Sequence, residues 1–75
     1  MTKLKSFKPG DVTDQVWCGD IVVECEFIKT LDRGGLLFYD RTFKCFRRAF
    51  WEVIRGDLIL NGWECSETSA GFIKS

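Results

Sequence analysis

The side chains of this chain that could do chemistry are concentrated in one run, DRTFKCFRRAFWEVIRGD, at positions 40–57. The run interleaves four aromatic side chains with five basic ones: Arg41, Lys44, Arg47, Arg48 and Arg55. Arginine and tryptophan are enriched in binding hot spots because each combines a large contact area with directed contacts. The run therefore predicts a binding surface, either for a protein or for the phosphates and bases of a nucleic acid.

Catalytic chemistry is not indicated. The chain has no histidine, so the commonest general base and the usual partner of a serine or cysteine nucleophile are both missing. There is no glycine-rich phosphate loop. Glu24 and Glu26 would share one strand face, but acids at that spacing on an exposed strand are usually only solvated. We expect that the protein is not an enzyme.

The four cysteines, Cys18, Cys25, Cys45 and Cys65, are separated by intervals of seven, twenty and twenty residues. Closed zinc sites usually bring their ligands in close pairs, and the chain has no CxxC pair. The sequence therefore predicts no metal and no other cofactor. We expect free thiols in a reducing compartment; an oxidising one would allow three disulfide connectivities, among which the sequence does not choose.

Charge is balanced in number but not in position. Eleven basic and eleven acidic residues give a net charge of zero. Residues 11–32 carry six acids against Lys29, whereas residues 40–55 carry the five bases against Asp40 and Glu52. A neutral total leaves protein partners at least as favoured as nucleic acid. No apolar run approaches the roughly 20 residues of a membrane span, and the N-terminus lacks a secretory apolar stretch, so we predict a soluble cytoplasmic protein.

The length predicts one small domain, residues 1–75, with a loose basic arm at 1–10 and a frayed tail at 66–75. The alternation in DIVVECEFIKT, residues 20–30, predicts a strand, and GLLFY, residues 35–39, would pair with it as a hairpin. DLILNGWEC has the composition of a further strand, with a turn signal at Asn61-Gly62. A short extra strand is expected near residue 12.

A helix is predicted at about 41–55. On a helical wheel one arc of roughly 140° gathers the apolar residues of the run. Asp40 or Thr42 could cap its first turn, and Gly56 stands where a helix commonly ends. The fold class is therefore α+β: a small antiparallel sheet of three to four strands with one main helix. The core-facing stripe consists of Phe43, Phe46, Ala49, Phe50, Val53 and Ile54.

The alternative is an all-β, SH3-like barrel in which residues 42–55 form two strands. FKPGD and CGDIVVE resemble the Gly-Asp starts of such barrels, although they cover too little of the chain to indicate a family.

The predicted function is that of a small non-catalytic regulator or inhibitor that binds a larger protein. Small accessory proteins of phages and mobile elements offer an analogy for such a design. A nucleic-acid-binding regulator using the same helix is the alternative, and a homodimer joining the basic helix to the acidic strand is a weaker one. The interpretation that needs no partner is that the basic residues form only a solvated helix face. The candidate partner-binding residues are Lys44, Arg47, Arg48, Trp51 and Arg55.

Overall fold

The structure, a computed structural model, describes residues 6–72, and its regular elements there are strands and two short 3₁₀ turns. The 3₁₀ turns span Asp32–Gly34 and Ser69–Gly71. The strands are β1 (Val12–Cys18), β2 (Ile21–Thr30), β3 (Leu36–Asp40), β4 (Cys45–Ile54) and β5 (Asp57–Ser66).

The five strands form a closed barrel in chain order. Each strand pairs antiparallel with the next, so the first and fifth strands of this odd-numbered meander run in the same direction. The barrel can therefore close only through a parallel contact, which is made by Val16 with Leu60 and by Trp17 with Asn61. Closure removes the free sheet edges that would otherwise invite aggregation.

The predicted helix at 41–55 is wrong, and with it the α+β class. Residues 45–54 of that segment form strand β4, whose alternate residues Cys45, Arg47 and Ala49 are buried inside the barrel. The all-β alternative is closer to the structure, but it expected two strands where β4 is one.

The helix prediction failed because β4 reverses the usual polarity of its two faces. Arg47 occupies an inward position, whereas Phe46 and Phe50 lie on the outward face and are half-buried. The alternation of apolar and polar residues that marks a strand is therefore not visible in this part of the sequence. The six apolar residues align by chance with the period of a helix. Of that predicted stripe only Ala49 is fully buried; Phe43 is 54% exposed and Val53 71% exposed.

The residues predicted to begin and end the helix, Asp40 and Gly56, lie at turns between strands instead. The Oδ1 atom of Asp40 accepts hydrogen bonds from the backbone N–H groups of Thr42 and Phe43, at 2.7 and 2.9 Å. An N-cap aspartate makes bonds of this kind, but here they close the turn between β3 and β4. Gly56 likewise ends no helix; with φ of 84° it follows Arg55, φ 53°, in the two-residue turn between β4 and β5.

The interior is packed from all five strands around an aromatic cluster. Phe27 and Phe38 are buried and meet edge to face with ring centroids 5.5 Å apart. Phe7, which precedes β1, stacks on Phe27 at 5.6 Å and meets Phe38 edge-on at 5.3 Å. Residues 1–5 of the predicted arm and 73–75 of the predicted tail lie outside the described residues. The rest of the buried cluster is Val16, Val23, Cys25, Ala49 and Leu60.

The Asn61-Gly62 signal does not mark a turn, because both residues lie inside β5. A Cβ atom on Gly62 would stand 3.1 Å from Cγ1 of Val16 and 3.2 Å from Cβ of Ala49. Glycine is therefore required here by the close approach of neighbouring strands. Between the pairs Arg48–Glu64 and Phe50–Asn61, β5 uses one residue more than β4, which makes this position a β-bulge.

Candidate binding face

The five residues predicted to bind a partner are not gathered on one surface. Lys44 lies in the β3–β4 turn and Arg55 in the β4–β5 turn, at opposite ends of a ten-residue strand. A strand of that length separates them by roughly 30 Å. The helix face on which all five were expected to meet does not exist.

Arg47 is inside the barrel and only 3% exposed. Its Nε atom donates to Oδ2 of the fully buried Asp40 at 2.6 Å, and its Nη1 atom donates to the carbonyl oxygens of Gly62 and Trp63. Burial disfavours the charged guanidinium, but its hydrogen bond and charge interaction with Asp40 outweigh this, so the pKa of Arg47 is raised. The residue therefore ties the β3–β4 turn to the bulge of β5.

Arg48 and Trp51 are also engaged within the protein. Arg48 forms an ion pair with Glu64, and its guanidinium lies over the rings of Phe50 and Phe72 at 5.7 and 5.5 Å. Trp51 pairs with Leu60 across β4 and β5, is half-buried and packs against the core. Of the five candidates, only Lys44 and Arg55 are exposed.

A different surface presents large apolar side chains together. Val22, Trp17 and Asn61 are neighbours across β2, β1 and β5, which places the first two on the outside of the barrel. Ile59 lies outward on β5, and Ile54 lies at the end of β4. We call the following five residues the outer aromatic face: Trp17, Val22, Ile54, Ile59 and Trp63.

The bulge in β5 explains how Trp63 joins this face. The extra residue allows Gly62 to point inward while Trp63 points out and Glu64 pairs with Arg48. Trp63 is 66% exposed and Trp17 36% exposed. Two tryptophans with this exposure on one sheet face are unusual for a surface whose only task is solubility.

A groove of about 500 Å³ lies along the outer aromatic face. Trp17 and Trp63 line it together with Ile54 and Ile59. Its charged lining comes from Asp20 in the β1–β2 turn, from Arg55 in the β4–β5 turn and from Asp57, the first residue of β5. The groove thus combines aromatic surface with separated charges at its margins.

One side-chain hydrogen bond lies beside the groove. The amide Nδ2 of Asn61 donates to Oε2 of Glu52 at 3.3 Å across β4 and β5. Both residues lie on the outward side of these strands, so Glu52 adds a further carboxylate to this side of the barrel.

The cysteines do not form a metal site within residues 6–72. All four are unpaired, and no group of three or more metal-binding side chains lies close enough to hold an ion. Burial raises the pKa of Cys25 to about 12, and the charge of Asp40 adds to the shift. Burial likewise raises the pKa of Cys45 to about 11, with a contribution from its hydrogen bond to Cys65. These two thiols are inert core groups at neutral pH.

Sequence reasoning did not select Trp17 or Trp63 as binding residues. In the structure each tryptophan follows a residue that turns inward, Val16 or Gly62. On a strand of alternating direction, the neighbour of an inward residue faces solvent. The register of β1 and β5, which brings the two indoles to one groove, could not be read from the sequence.

Comparisons of the chain with protein-family models, with curated proteins and with solved structures give no match. Within residues 6–72, no helix has the length and apolar character needed to cross a membrane.

Proposed function

We propose that this protein is a non-catalytic binding module that docks on a larger protein through its outer aromatic face. The observation that carries the proposal is the exposure of Trp17 and Trp63 beside one groove. Exposed apolar surface of this kind is costly in water and is typical of interaction sites, and tryptophan is the residue most enriched among interface hot spots. A regulatory or inhibitory role for such docking stays a prediction.

The cytoplasm is the compartment that we propose. Four unpaired cysteines, one of them exposed, are compatible with a reducing environment and would be vulnerable in an oxidising one.

The nucleic-acid alternative has lost the surface on which it depended. Binding a phosphate backbone requires several free cations on one side of the protein. Arg47 is buried against Asp40, Arg48 is paired with Glu64, and the outer aromatic face is bordered mainly by acids. The predicted homodimer would join the basic helix of one copy to the acidic strand of another, and residues 45–54 form a strand instead of that helix. We expect no electrophoretic shift with unrelated DNA or RNA, even at low salt.

Affinity capture from extracts of the native host tests the proposal when matched variants are compared. The variant Trp17→Ala/Trp63→Ala should lose the captured protein, because removing one hot-spot tryptophan commonly costs at least about 2 kcal/mol, or roughly thirtyfold in affinity. Phe43→Ala is the control, since Phe43 is 54% exposed but lies in the β3–β4 turn, away from the face.

Two results would contradict the proposal. Equal capture by the wild-type protein and the double tryptophan variant would mean that the partner binds elsewhere. A concentration-dependent dimer, detected by sedimentation and abolished by Trp63→Ala, would mean that a second copy of the chain occupies the face. Each variant is first checked for a wild-type circular dichroism spectrum.

A further inference from the structure

We propose that the groove beside Trp17 and Trp63 receives an extended basic segment of the partner, with a lysine or arginine side chain packed against the indole rings. The inference rests on the proposed function, since it names the chemistry of the segment that the outer aromatic face would bind. It follows from the charges at the groove, from the contacts that the two indole rings make within the protein and from the length of the groove along β5.

The charges that border the groove favour a cationic ligand. Asp20 and Asp57 line it against the single base Arg55, and Glu52 lies nearby on the outward side of β4. Neither Asp20 nor Asp57 forms an ion pair with any residue in the range 6–72. Unpaired carboxylates beside an apolar surface attract cations and repel the phosphates of a nucleic acid.

The indole rings add a second preference for a cation. In the described part of the chain, neither Trp17 nor Trp63 takes part in a ring contact or a cation–π contact, and both indoles line the groove. Tryptophan is the aromatic side chain that attracts Lys and Arg cations most strongly, and the attraction grows as water is excluded. A cation packed on the indoles can also approach the carboxylate of Asp20.

The length of the groove indicates an extended segment and not an isolated cation. Asp57 and Trp63 are six residues apart on β5, a distance of roughly 20 Å along the strand. An extended peptide of about six residues covers such a distance. Ile54 and Ile59 line the groove as well, so apolar side chains between the basic ones would also be covered.

Arg55 fits this arrangement as a selective element. It stands at the tip of the β4–β5 turn with φ of 53°, is exposed, and has no ion pair within residues 6–72. Its charge repels a basic side chain from that end of the groove and attracts a carboxylate or a backbone carbonyl. The cation of the partner is therefore directed toward the end formed by Trp63 and Asp20.

Selection from a displayed library of random linear peptides tests the inference. Peptides that bind the wild-type protein should be enriched in lysine and arginine and should contain apolar residues between them. Binding of a synthetic version, followed by tryptophan fluorescence, should weaken by about tenfold or more for Trp63→Ala, as expected for loss of a desolvated cation–π contact and its apolar area. Phe43→Ala should bind like the wild type.

Charge reversal gives the sharper readout. Asp20→Lys/Asp57→Lys should lose the selected basic peptide and gain affinity for the same peptide with glutamate in place of its basic residues. Asp20→Asn/Asp57→Asn removes the charges without reversing them, so its affinity for the basic peptide should lie between those of the wild type and the double lysine variant. Both positions are exposed, so wild-type thermal unfolding is expected for the two variants.

The outcomes separate the inference from the proposed function. Selected peptides that need Trp17 and Trp63 but are neutral or acidic would overturn the inference and leave the proposed function standing. If no selected peptide needs either tryptophan, and host-protein capture does not need them either, both are overturned. Binding of a single-stranded oligonucleotide that is lost in Trp63→Ala would also overturn the basic-segment inference.

Discussion

The guanidinium of Arg47 and the carboxylate of Asp40 form an ion pair inside the barrel, with 2.6 Å between Nε and Oδ2. The two side chains are 3% and 0% exposed. The second carboxylate oxygen accepts two turn N–H groups, and the guanidinium also reaches the bulge carbonyl of Gly62. This pair therefore links the β3–β4 turn to β5, and both of its charges are compensated by several bonds.

Removing one partner of this pair should be severely destabilising. Asp40→Ala or Arg47→Ala leaves the other charge buried and uncompensated, which typically costs about 3–5 kcal/mol. Denaturant unfolding measures the loss. The double variant should cost less than the sum of the single ones, because it leaves neither charge behind.

The ion pair between Arg48 and Glu64 is the internal control for that prediction. Its side chains are 35% and 34% exposed, so solvent screens the interaction. Glu64→Ala should therefore cost less than about 1 kcal/mol. Comparable losses for Asp40→Ala and Glu64→Ala would contradict the claim that burial sets the energetic difference between the two pairs.

The same buried pair explains why the predicted fold class was wrong although some of the strands were predicted. The β2 strand and the β2–β3 hairpin are visible because β2 alternates apolar and polar residues and the sequence between the strands has turn chemistry. β4 is not visible, because its inward arginine makes sense only once Asp40 and the β5 carbonyls are known to surround it. A long-range polar interaction of this kind leaves no local pattern.

The candidate site was hidden for a related reason. The outer aromatic face is assembled from β1, β2, β4 and β5, and its two tryptophans are 46 positions apart in the sequence. Their meeting depends on barrel closure through the parallel β1–β5 contact and on the bulge at Gly62. Local periodicity carries no information about either feature.

Alanine substitutions at two phenylalanines distinguish the barrel from the predicted helix. Phe38→Ala removes a fully buried ring that touches Phe7 and Phe27, so a loss of about 3–5 kcal/mol is expected. Phe43→Ala removes a ring that is 54% exposed but lies 5.7 Å from the Arg47 guanidinium, and the backbone N–H of residue 43 still reaches Asp40, so the loss should stay at about 1 kcal/mol or less. Thermal or denaturant unfolding measures both. A large loss for Phe43→Ala would instead support the helical stripe.

A methyl group at Gly62 should overpack the barrel. The new Cβ would lie 3.1 Å from Val16 and 3.2 Å from Ala49, so Gly62→Ala is expected to cost about 1–3 kcal/mol. Adding Ala49→Gly removes one of the two clashing atoms and should recover part of the loss. Gly71→Ala is the control, because its Cβ would meet nothing within 4 Å. Wild-type stability of Gly62→Ala would mean that the strands do not approach this closely.

The buried Cys25 thiol should make the protein sensitive to alkali. Burial, followed by the charge of Asp40, raises its pKa from an ordinary 9.0 to about 12 in the folded state, while the nearby Arg47 partly opposes the shift. As the pH rises, the unfolded chain therefore loses this proton before the folded protein does. The contribution of Cys25 is complete below pH 9 and declines between pH 9 and about 12, by about 1.4 kcal/mol per pH unit.

Urea unfolding at a series of alkaline pH values measures this decline. Cys25→Ala should lower stability at neutral pH, because it empties part of the core, but should reduce the alkaline slope to the part that Cys45 contributes, because the Cys25 thiol is gone. Cys65→Ala removes an exposed thiol and should retain most of the slope. Thiol labelling of the wild-type protein provides an independent check: at neutral pH Cys65 should react while Cys25 is protected until unfolding. An unchanged slope in Cys25→Ala, or rapid labelling of Cys25 in the folded protein, would contradict its burial beside Asp40.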